Sequence, residues 1–307
     1  MPTRRGTGTV ALAVSVGLLG AACSPSAAAG GGGDAIVAVG AENEYANVIS
    51  QIGGSYVQVT AIESNPNTDP HSFEASPSVA EVVSKARLVV QNGLGYDTYM
   101  NRIEAAAASS AKVIDVQKLL GLPDSTPNPH LWYAPNTMTA VARAIASDLT
   151  AIQPAHAAYF AATLRRFDSS LQPWYQAIAR FKAAYSGTPV AVTEPVGDYL
   201  LQAAGTKILT PFAMQEDVMN GVDPSPQDVS LENSLFSGHK IKVFLYNQQV
   251  TDSLTQSFLS GASKNGIPVV GVYETMPTPG YDYQSWMLAE VQALQKAVTD
   301  KISTQKL

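Results

Sequence analysis

Two histidines directly follow prolines, in segments rich in turn-forming residues. His71 lies in Asp69-Pro70-His71-Ser72, and His130 lies in Asn128-Pro129-His130-Leu131-Trp132. Proline fixes its own φ at about −65° and drives the preceding residue toward extended geometry, so each Pro-His step holds its imidazole at a defined angle. Imidazoles held in this way lose little conformational entropy when they bind an ion. The pair therefore points to a metal site.

Two glutamates stand where apolar strands are predicted to end in the second half of the chain. Glu194 follows the run Val190 to Thr193, and Glu274 follows Pro268 to Tyr273. The carboxyl ends of parallel strands form the usual ligand-binding edge of an α/β sheet, although such a carboxylate can also be a solvated charge or lie beside a helix N-cap. Imidazole nitrogens with carboxylate oxygens suit zinc, manganese or ferrous iron, whereas magnesium and calcium prefer oxygen ligands alone. The predicted metal ligands are His71, His130, Glu194 and Glu274.

The elements that must position these ligands alternate between short apolar runs and helical stretches, which is typical of βαβ units around a parallel sheet. In the first half, the predicted strands are Ile36 to Val39, Val57 to Ile62, Arg87 to Val90 and Lys112 to Val116, with helices at Tyr45 to Ile52 and Pro77 to Lys85. In the second half, the predicted strands are Val190 to Thr193, Lys207 to Leu209, Lys242 to Tyr246 and Pro268 to Tyr273. The predicted fold is therefore α/β, with two (β/α) lobes and a parallel sheet in each. Two ligands from each lobe would place the ion in the cleft between the lobes.

A long helical region separates the two predicted lobes. After a predicted helix at Thr137 to Thr150, apolar and aromatic residues recur at steps of four and three from Phe160 to Tyr185, which indicates one buried stripe along a helix. Pro173 predicts a kink or a complete break, because it removes one backbone hydrogen bond of that helix. The predicted boundaries are 35–153 for the N-terminal lobe, 154–186 for the linker helix and 187–307 for the C-terminal lobe.

The N-terminus predicts secretion. Arg4 and Arg5 precede an apolar run from Val10 to Leu19 that is too short for a transmembrane helix, and small residues lead to Cys23, the single cysteine. This order predicts a signal peptide over residues 1–22, and Leu-Gly-Ala-Ala-Cys resembles the bacterial lipobox, which implies lipidation of Cys23. The alternative is an ordinary signal peptide with an incidental cysteine. Residues 23–34 are rich in glycine and predict a flexible tether, so we expect a protein anchored to the bacterial cell membrane on its extracytoplasmic side.

Composition limits the possible functions. The 307 residues, 46% of them hydrophobic, can bury a core large enough for two domains. The formal net charge of −6, with no basic cluster, argues against a nucleic-acid partner. The sequence has neither a Walker motif nor G-x-S-x-G, so we expect a binding protein and not an enzyme. The other two histidines, His156 and His239, are expected to be solvated.

Several segments, in order along the chain, resemble one protein family. They are Glu42-Asn43-Glu44-Tyr45 with Gly53-Gly54, Asp69 to Ser78, Asn92 to Asp97, Pro129 to Trp132, Asp223 to Pro226, Tyr246 to Gln249 and Glu274 to Pro277. Together they resemble the metal-binding lipoproteins that serve bacterial ABC importers, the zinc and manganese family called cluster A-I. The resemblance implies two (β/α) lobes joined by one long rigid helix, with a divalent ion between them held by His71, His130, Glu194 and Glu274. It also implies a membrane permease and its cytoplasmic ATPase as partners, and we expect a monomer.

The resemblance leaves the metal open. Zinc-specific members commonly carry a third histidine where Glu194 stands and a long His-rich loop, whereas Leu119 to Asn128 is short and contains no histidine. Manganese members commonly have two histidines, a glutamate and an aspartate, and Glu274 is one methylene longer than that aspartate. Zn²⁺ and Mn²⁺ are therefore joint candidates, with Fe²⁺ ranked below them. Nearby, the strand-end residues Asn247, Gln248 and Gln249 are expected to hydrogen-bond the ligands.

The predicted function is capture of Zn²⁺ or Mn²⁺ outside the membrane and delivery of the ion to a permease. Two alternatives would use the same metal site. One is a cell-surface metalloenzyme of the hydrolase class, in which Glu194 or Glu274 acts as a general base. The other is an adhesin.

Overall fold

Two parallel sheets form the framework of the protein in the computed structural model, which describes residues 35–103 and 110–307. The predicted signal peptide, Cys23 and the tether lie outside the described residues. The first sheet contains β1 (Ile36–Glu42), β2 (Val57–Glu63), β3 (Leu88–Gln91) and β4 (Lys112–Asp115) in the order β2-β1-β3-β4. The second contains β5 (Pro189–Val192), β6 (Lys207–Ile208), β7 (Val243–Asn247) and β8 (Val269–Val272) in the order β6-β5-β7-β8. All pairings within both sheets are parallel, which confirms the predicted two-lobe α/β fold.

Helices connect and cover the strands. In the N-terminal half these are α1 (Asn43–Gly53), α2 (Pro77–Ser84), α3 (Thr98–Ile103), α4 (Val116–Leu119), α5 (Thr137–Ile152) and α6 (Ala157–Ser170). They continue with α7 (Gln172–Tyr185), α8 (Asp198–Ala203), α9 (Phe212–Met219), α10 (Pro226–Ser237), α11 (Ser253–Lys264) and α12 (Tyr283–Asp300). Short 3₁₀ segments lie at Gly54–Tyr56, Pro70–Ser72, Leu131–Tyr133 and Pro154–His156. Within 35–103 and 110–307, none of the helices has both the length and the apolar character needed to cross a bilayer.

The central strands form because their sequences are apolar on both faces. β1 is buried almost along its whole length, as expected for a strand covered by helices on both sides. Gly40 lets α1 approach this strand closely, since a Cβ at this position would collide with the backbone of Ala46. The absence of a side chain at Gly40 therefore allows α1 to pack closely against β1.

The predicted linker region consists of two helices. α6 and α7 are separated by Leu171 alone, whose backbone stays in the right-handed helical region. Pro173 lies in the first turn of α7, where it needs no intrahelical N–H, so the interruption falls just before the proline. The predicted apolar stripe is buried, with Phe160, Trp174 and Phe181 fully inaccessible to solvent. α6 packs against α1 and α5, and α7 packs against α12, so the pair of helices contacts both lobes.

The topology brings the predicted ligands to corresponding edges of the two sheets. His71 follows β2 and His130 follows β4, whereas Glu194 follows β5 and Glu274 follows β8. β4 and β8 occupy the same position in the strand orders of their sheets. One hydrophobic cluster includes residues of both lobes, among them Ile36, Trp132, Val192 and Trp286.

Candidate metal site

A short turn fixes the backbone at His71. The carboxylate of Asp69 accepts a hydrogen bond from the backbone N–H of His71 at 2.8 Å, and Pro70 begins the 3₁₀ segment that carries the histidine. The imidazole is 20% exposed and its Nε2 lies 3.0 Å from Oε2 of Glu274, on the other lobe. The rigid Asp-Pro-His turn expected from the sequence therefore aims His71 into the cleft.

Asn128 orients the fully buried ring of His130. Its side-chain Oδ1 accepts from the backbone N–H of His130 at 3.0 Å and lies 2.8 Å from ring atom Nδ1. The amide cannot be turned the other way, because its Nδ2 donates to the carbonyl of Pro195 at 2.7 Å. Nδ1 must therefore carry the ring proton, and the neutral imidazole turns its Nε2 lone pair toward Oε2 of Glu274, 3.2 Å away.

Oε2 of Glu274 lies close to Nε2 of both His71 and His130. Its Oε2 is also 3.1 Å from the hydroxyl of Tyr96, which donates to it, and its Oε1 accepts from Nδ2 of Asn247 at 2.7 Å. The side chain of Gln249 fixes the backbone here by accepting from the N–H groups of Glu274 and Thr275. His71, His130 and Glu274 each offer one ligand atom, and these atoms all lie within 4.8 Å of one another.

Glu194 lies beside this group but outside it. Its side chain is buried, and its Oε1 accepts from the same Asn247 Nδ2 at 3.2 Å. Its Oε2 has no hydrogen-bond partner among residues 35–103 and 110–307. The structure thus brings three of the predicted ligands together. Glu194, the fourth, lies outside this group and is linked to Glu274 through the side chain of Asn247.

The charges of the site depend on one another. Burial alone would raise the pKa of Glu274, but the neighbouring imidazoles, above all the charge of His71, outweigh it and hold that pKa far below its usual value. Burial would lower the pKa of His71, yet the charge of Glu274, whose Oε2 lies 3.0 Å from its Nε2, raises it. Burial lowers the pKa of His130. Burial, followed by the charge of Glu274, raises the pKa of Glu194 well above its usual value.

These side chains fit a divalent transition metal. The lone pair of His130 faces a carboxylate oxygen, and a buried oxygen of Glu194 has no donor, so a cation among them would satisfy both. Imidazole nitrogens with carboxylate oxygens are the donors of zinc, manganese and iron sites. A cavity of about 350 Å³ lies beside His71 and is lined also by Tyr96, Pro129, Glu216 and Met219.

Several residues of the site were not assigned a role from the sequence. Tyr96 appeared only within a family motif, and Asn128 only beside a histidine, although an asparagine two residues before a histidine is a recognisable turn signal. Of the three residues predicted to hydrogen-bond the ligands, Asn247 and Gln249 contact Glu274. Gln248 is half-buried and, within 35–103 and 110–307, forms no hydrogen bond with either glutamate.

A second set of acids lies behind the site and was also missed. Glu42 and Glu63 are buried at the ends of β1 and β2, and Glu44 is buried in the first turn of α1. Within 35–103 and 110–307, their carboxylate oxygens have no hydrogen-bond partner. Burial, and then the charges of Asp97, Glu44 and Glu274, raise the pKa of Glu63 to about 9. We therefore expect Glu63 to be neutral at pH 7.

The two remaining histidines lie elsewhere. His156 stacks on Tyr56, with ring centroids 3.9 Å apart, and is half-buried, so the expectation of a solvated ring holds only in part. His239 is exposed, as expected, in the turn before β7.

Comparison with known proteins gives one family and a consistent fold. The family model described as ZnuA, zinc-uptake complex component A, periplasmic, matches residues 39–297. A Thermotoga maritima protein whose name contains the term metal-binding protein is 32% identical over 93 residues, which are 30% of this chain and 33% of that protein. A Chlamydia muridarum protein with the same term in its name is 30% identical over 121 residues, or 37% of this chain and 42% of that one. The chain thus matches less than half the length of these relatives.

Solved structures resemble the whole described fold. A crystal structure of ZnuA has a TM-score of 0.70 at 21% identity and covers 87% of this chain and 100% of its own. An Mn-bound periplasmic metal binding protein from Candidatus Liberibacter asiaticus has a TM-score of 0.68 at 19% identity, with 87% and 99% covered. A Cd-bound form of a protein with that description has a TM-score of 0.67. At these identities the likeness establishes the fold.

Proposed function

Because the chain belongs to the ZnuA family of periplasmic zinc-uptake components, we propose that it captures a divalent transition-metal ion outside the membrane and delivers it to the permease of an ABC importer. The observation that carries this proposal is the convergence of His71, His130 and Glu274, from two lobes, on one point.

The proposed ligands are His71, His130, Glu194 and Glu274. Glu194 joins the set because its Oε2 is buried without a partner and its neighbour Asn247 also contacts Glu274. The proposed cargo is Zn²⁺ or Mn²⁺, with Fe²⁺ less favoured. The Mn-bound and Cd-bound forms of the similar periplasmic protein support a divalent cargo.

We propose a receptor and not an enzyme. With four protein ligands in place, little room remains for the open coordination position that metal-dependent hydrolysis needs. The competing role for Glu194 would be a general base, since its Oε2 is free. Hydrolysis of an ester or phosphoester by the metal-loaded protein, lost in Glu194→Gln, would favour that role.

The remaining proposals concern the rest of the chain. Residues 1–22 are the proposed signal peptide, Cys23 the lipidation site and 23–34 the tether, which would hold a monomeric receptor near its permease and the cytoplasmic ATPase. The proposed lobes are 35–153 and 187–307, with the linker at 154–186. Labelling with a radioactive fatty acid in the native host, compared between the wild type and Cys23→Ser, tests the anchor.

Calorimetric titration of the purified, chelator-treated protein tests metal capture. We expect about one equivalent of Zn²⁺ or Mn²⁺ and a gain in unfolding free energy of about 2.7 kcal/mol at a hundredfold excess over the dissociation constant. His71→Ala and His130→Ala should each abolish tight binding, whereas His239→Ala, an exposed histidine, should bind like the wild type. Unchanged affinity in either site variant would refute the ligand assignment.

Delivery is tested separately in cells. Deletion of the gene should cause a growth defect under metal limitation that added zinc or manganese relieves. A His130→Ala gene should fail to complement the deletion while its product is still present at the membrane. Complementation by that variant would contradict import through this site.

A further inference from the structure

Asn247 lies between the two glutamates at the end of β7 and is fully buried. Its side-chain Nδ2 is 2.7 Å from Oε1 of Glu274 and 3.2 Å from Oε1 of Glu194. An amide nitrogen carries two hydrogens, so one can serve each carboxylate. Both glutamates therefore have one oxygen engaged by the same side chain.

The orientation of this amide is determined by its other contacts. The backbone N–H of Gln249 donates to Oδ1 of Asn247 at 3.0 Å, and the backbone N–H of Asn247 donates to Oγ1 of Thr193 at 3.0 Å. Because Oδ1 faces a donor, Nδ2 must face the carboxylates. Turning the amide over would bring Oδ1 against two acceptors and leave Gln249 without its partner.

The free oxygens of the glutamates point to a particular metal geometry. Oε2 of Glu274 faces the Nε2 atoms of His71 and His130, and Oε2 of Glu194 has no partner. With both Oε1 atoms engaged, each carboxylate can offer an ion a single oxygen. A second oxygen could bind only while sharing its lone pairs with the hydrogen bond from Asn247, which disfavours bidentate binding.

We propose that Asn247 is a positioning residue that limits Glu194 and Glu274 to one metal-binding oxygen each, and that it thereby favours a four-coordinate ion. This inference rests on the proposed function, because it takes both glutamates as ligands. Two imidazole nitrogens and two single oxygens make a four-donor set of the kind that zinc adopts. Manganese prefers six donors, which this site could approach only with bidentate carboxylates or added water. Asn247 therefore increases the preference of the site for Zn²⁺ over Mn²⁺.

Cobalt substitution in Asn247→Ala tests the proposal directly. Four-coordinate Co²⁺ absorbs visible light much more strongly than six-coordinate Co²⁺, so the wild type should show intense bands and the variant weak ones. Loss of an outer contact of this kind typically weakens metal binding about 10- to 100-fold. We expect a loss of that size for Zn²⁺ and a smaller one for Mn²⁺, so that the ratio of the two affinities falls. Asn233→Ala, an exposed asparagine on α10, should keep the wild-type spectrum and ratio.

A second variant and a measurement on the wild type distinguish loss of the Asn247 contacts from misfolding of the variant. Asn247→Asp keeps the acceptor for Gln249 and the side-chain shape but loses both donors, so it should also lose the intense Co²⁺ bands. X-ray absorption of the zinc-loaded wild type should show four nitrogen and oxygen donors. Five or more donors in the wild type, or unchanged Co²⁺ spectra and affinity ratios in a folded Asn247 variant, would overturn the inference. Failure of the proposed function looks different, because the wild type would then bind no ion or would not need His71 and His130.

Discussion

Asn43 and Met276 exchange two hydrogen bonds across the cleft, although they lie 233 positions apart in the chain. The side-chain amide of Asn43 donates to the carbonyl of Met276 at 2.9 Å and accepts from its backbone N–H at 2.9 Å. Asn43 begins α1 in the first lobe, and Met276 follows the proposed ligand Glu274 in the second. One side chain thus joins the first sheet to the loop that positions a proposed ligand.

Asn43→Ala should destabilise the metal-free protein by about 1–3 kcal/mol, because it leaves both backbone groups of Met276 buried without partners. Urea unfolding of chelator-treated protein measures the change. Metal affinity should also fall, since the loop that carries Glu274 loses its anchor. Ser50→Ala, an exposed position on the same helix, is the matched control. Equal stability of the two variants would show that the contact does not hold the cleft.

The central strands could be predicted from the sequence because β1, β3, β5 and β7 are largely apolar runs. The predicted strands begin and end within three residues of those observed, and the strand ends placed His71, His130 and Glu274 at corresponding edges. Once the parallel sheets were assigned, their convergence followed from the topology. For these elements, local sequence and sheet geometry agree.

Features that depend on tertiary contacts could not be predicted in this way. A contact of Asn247 with the ligands was expected, but the sequence did not indicate that one amide joins Glu194 to Glu274, because these atoms come from three separate strand ends. The interruption at Leu171 reflects the packing of α6 and α7 against different helices, which the position of Pro173 alone does not determine. Buried acids such as Glu44 stand in a stretch that looks like the polar start of a helix.

Substituting the two glutamates should change stability in opposite directions. Burial raises the pKa of Glu194, so its protonated form is favoured in the fold, and its contribution to stability is present below about pH 4.5 and lost as the pH rises. The neighbouring imidazoles, above all the charge of His71, overcome burial and lower the pKa of Glu274, so its contribution is present at neutral pH and lost in acid. At pH 8, metal-free Glu194→Gln should therefore be more stable than the wild type, and Glu274→Gln less stable.

Urea unfolding at pH 5 and pH 8 measures this contrast, and calorimetry should show weaker metal binding in both variants. Weaker metal binding together with a higher free energy of unfolding in Glu194→Gln would show that the carboxylate of Glu194 serves metal binding at a cost in stability. If both substitutions lowered stability equally at pH 8, Glu194 would be a structural residue.

Metal binding should weaken in acid. Burial alone would lower the pKa of His71, but the charge of Glu274 raises it, and burial raises the pKa of Glu194, so protons occupy donor atoms that an ion must take. Each displaced proton should reduce affinity up to about tenfold per pH unit below the pKa of its group. Titrations in two buffers of different ionisation enthalpy measure the protons released. His239→Ala should release the same number of protons as the wild type. A metal affinity that does not change between pH 5.5 and pH 7.5 would contradict the prediction.

Glu232 provides a test of buried charge away from the metal site. It lies on α10 and is fully buried, and burial raises its pKa to about 8. An unfolded glutamate has a pKa of about 4.3. Between this pKa and the pKa of about 8 in the fold, Glu232 is protonated in the folded protein and ionised in the unfolded chain. Its contribution to stability is complete below about pH 4.3 and falls by up to about 1.4 kcal/mol per pH unit toward pH 8.

Glu232→Gln should remove this part of the pH dependence. The variant and the wild type should unfold at similar urea concentrations at pH 4.5, and the variant should become the more stable of the two as the pH approaches 8. Chelator in every sample keeps metal binding out of the comparison. Asp300→Asn, at an exposed position on α12, should follow the wild-type profile because its carboxylate is hydrated in both states. Parallel profiles for Glu232→Gln and the wild type would mean that Glu232 is ionised in the fold, with its charge compensated by a group outside the described contacts.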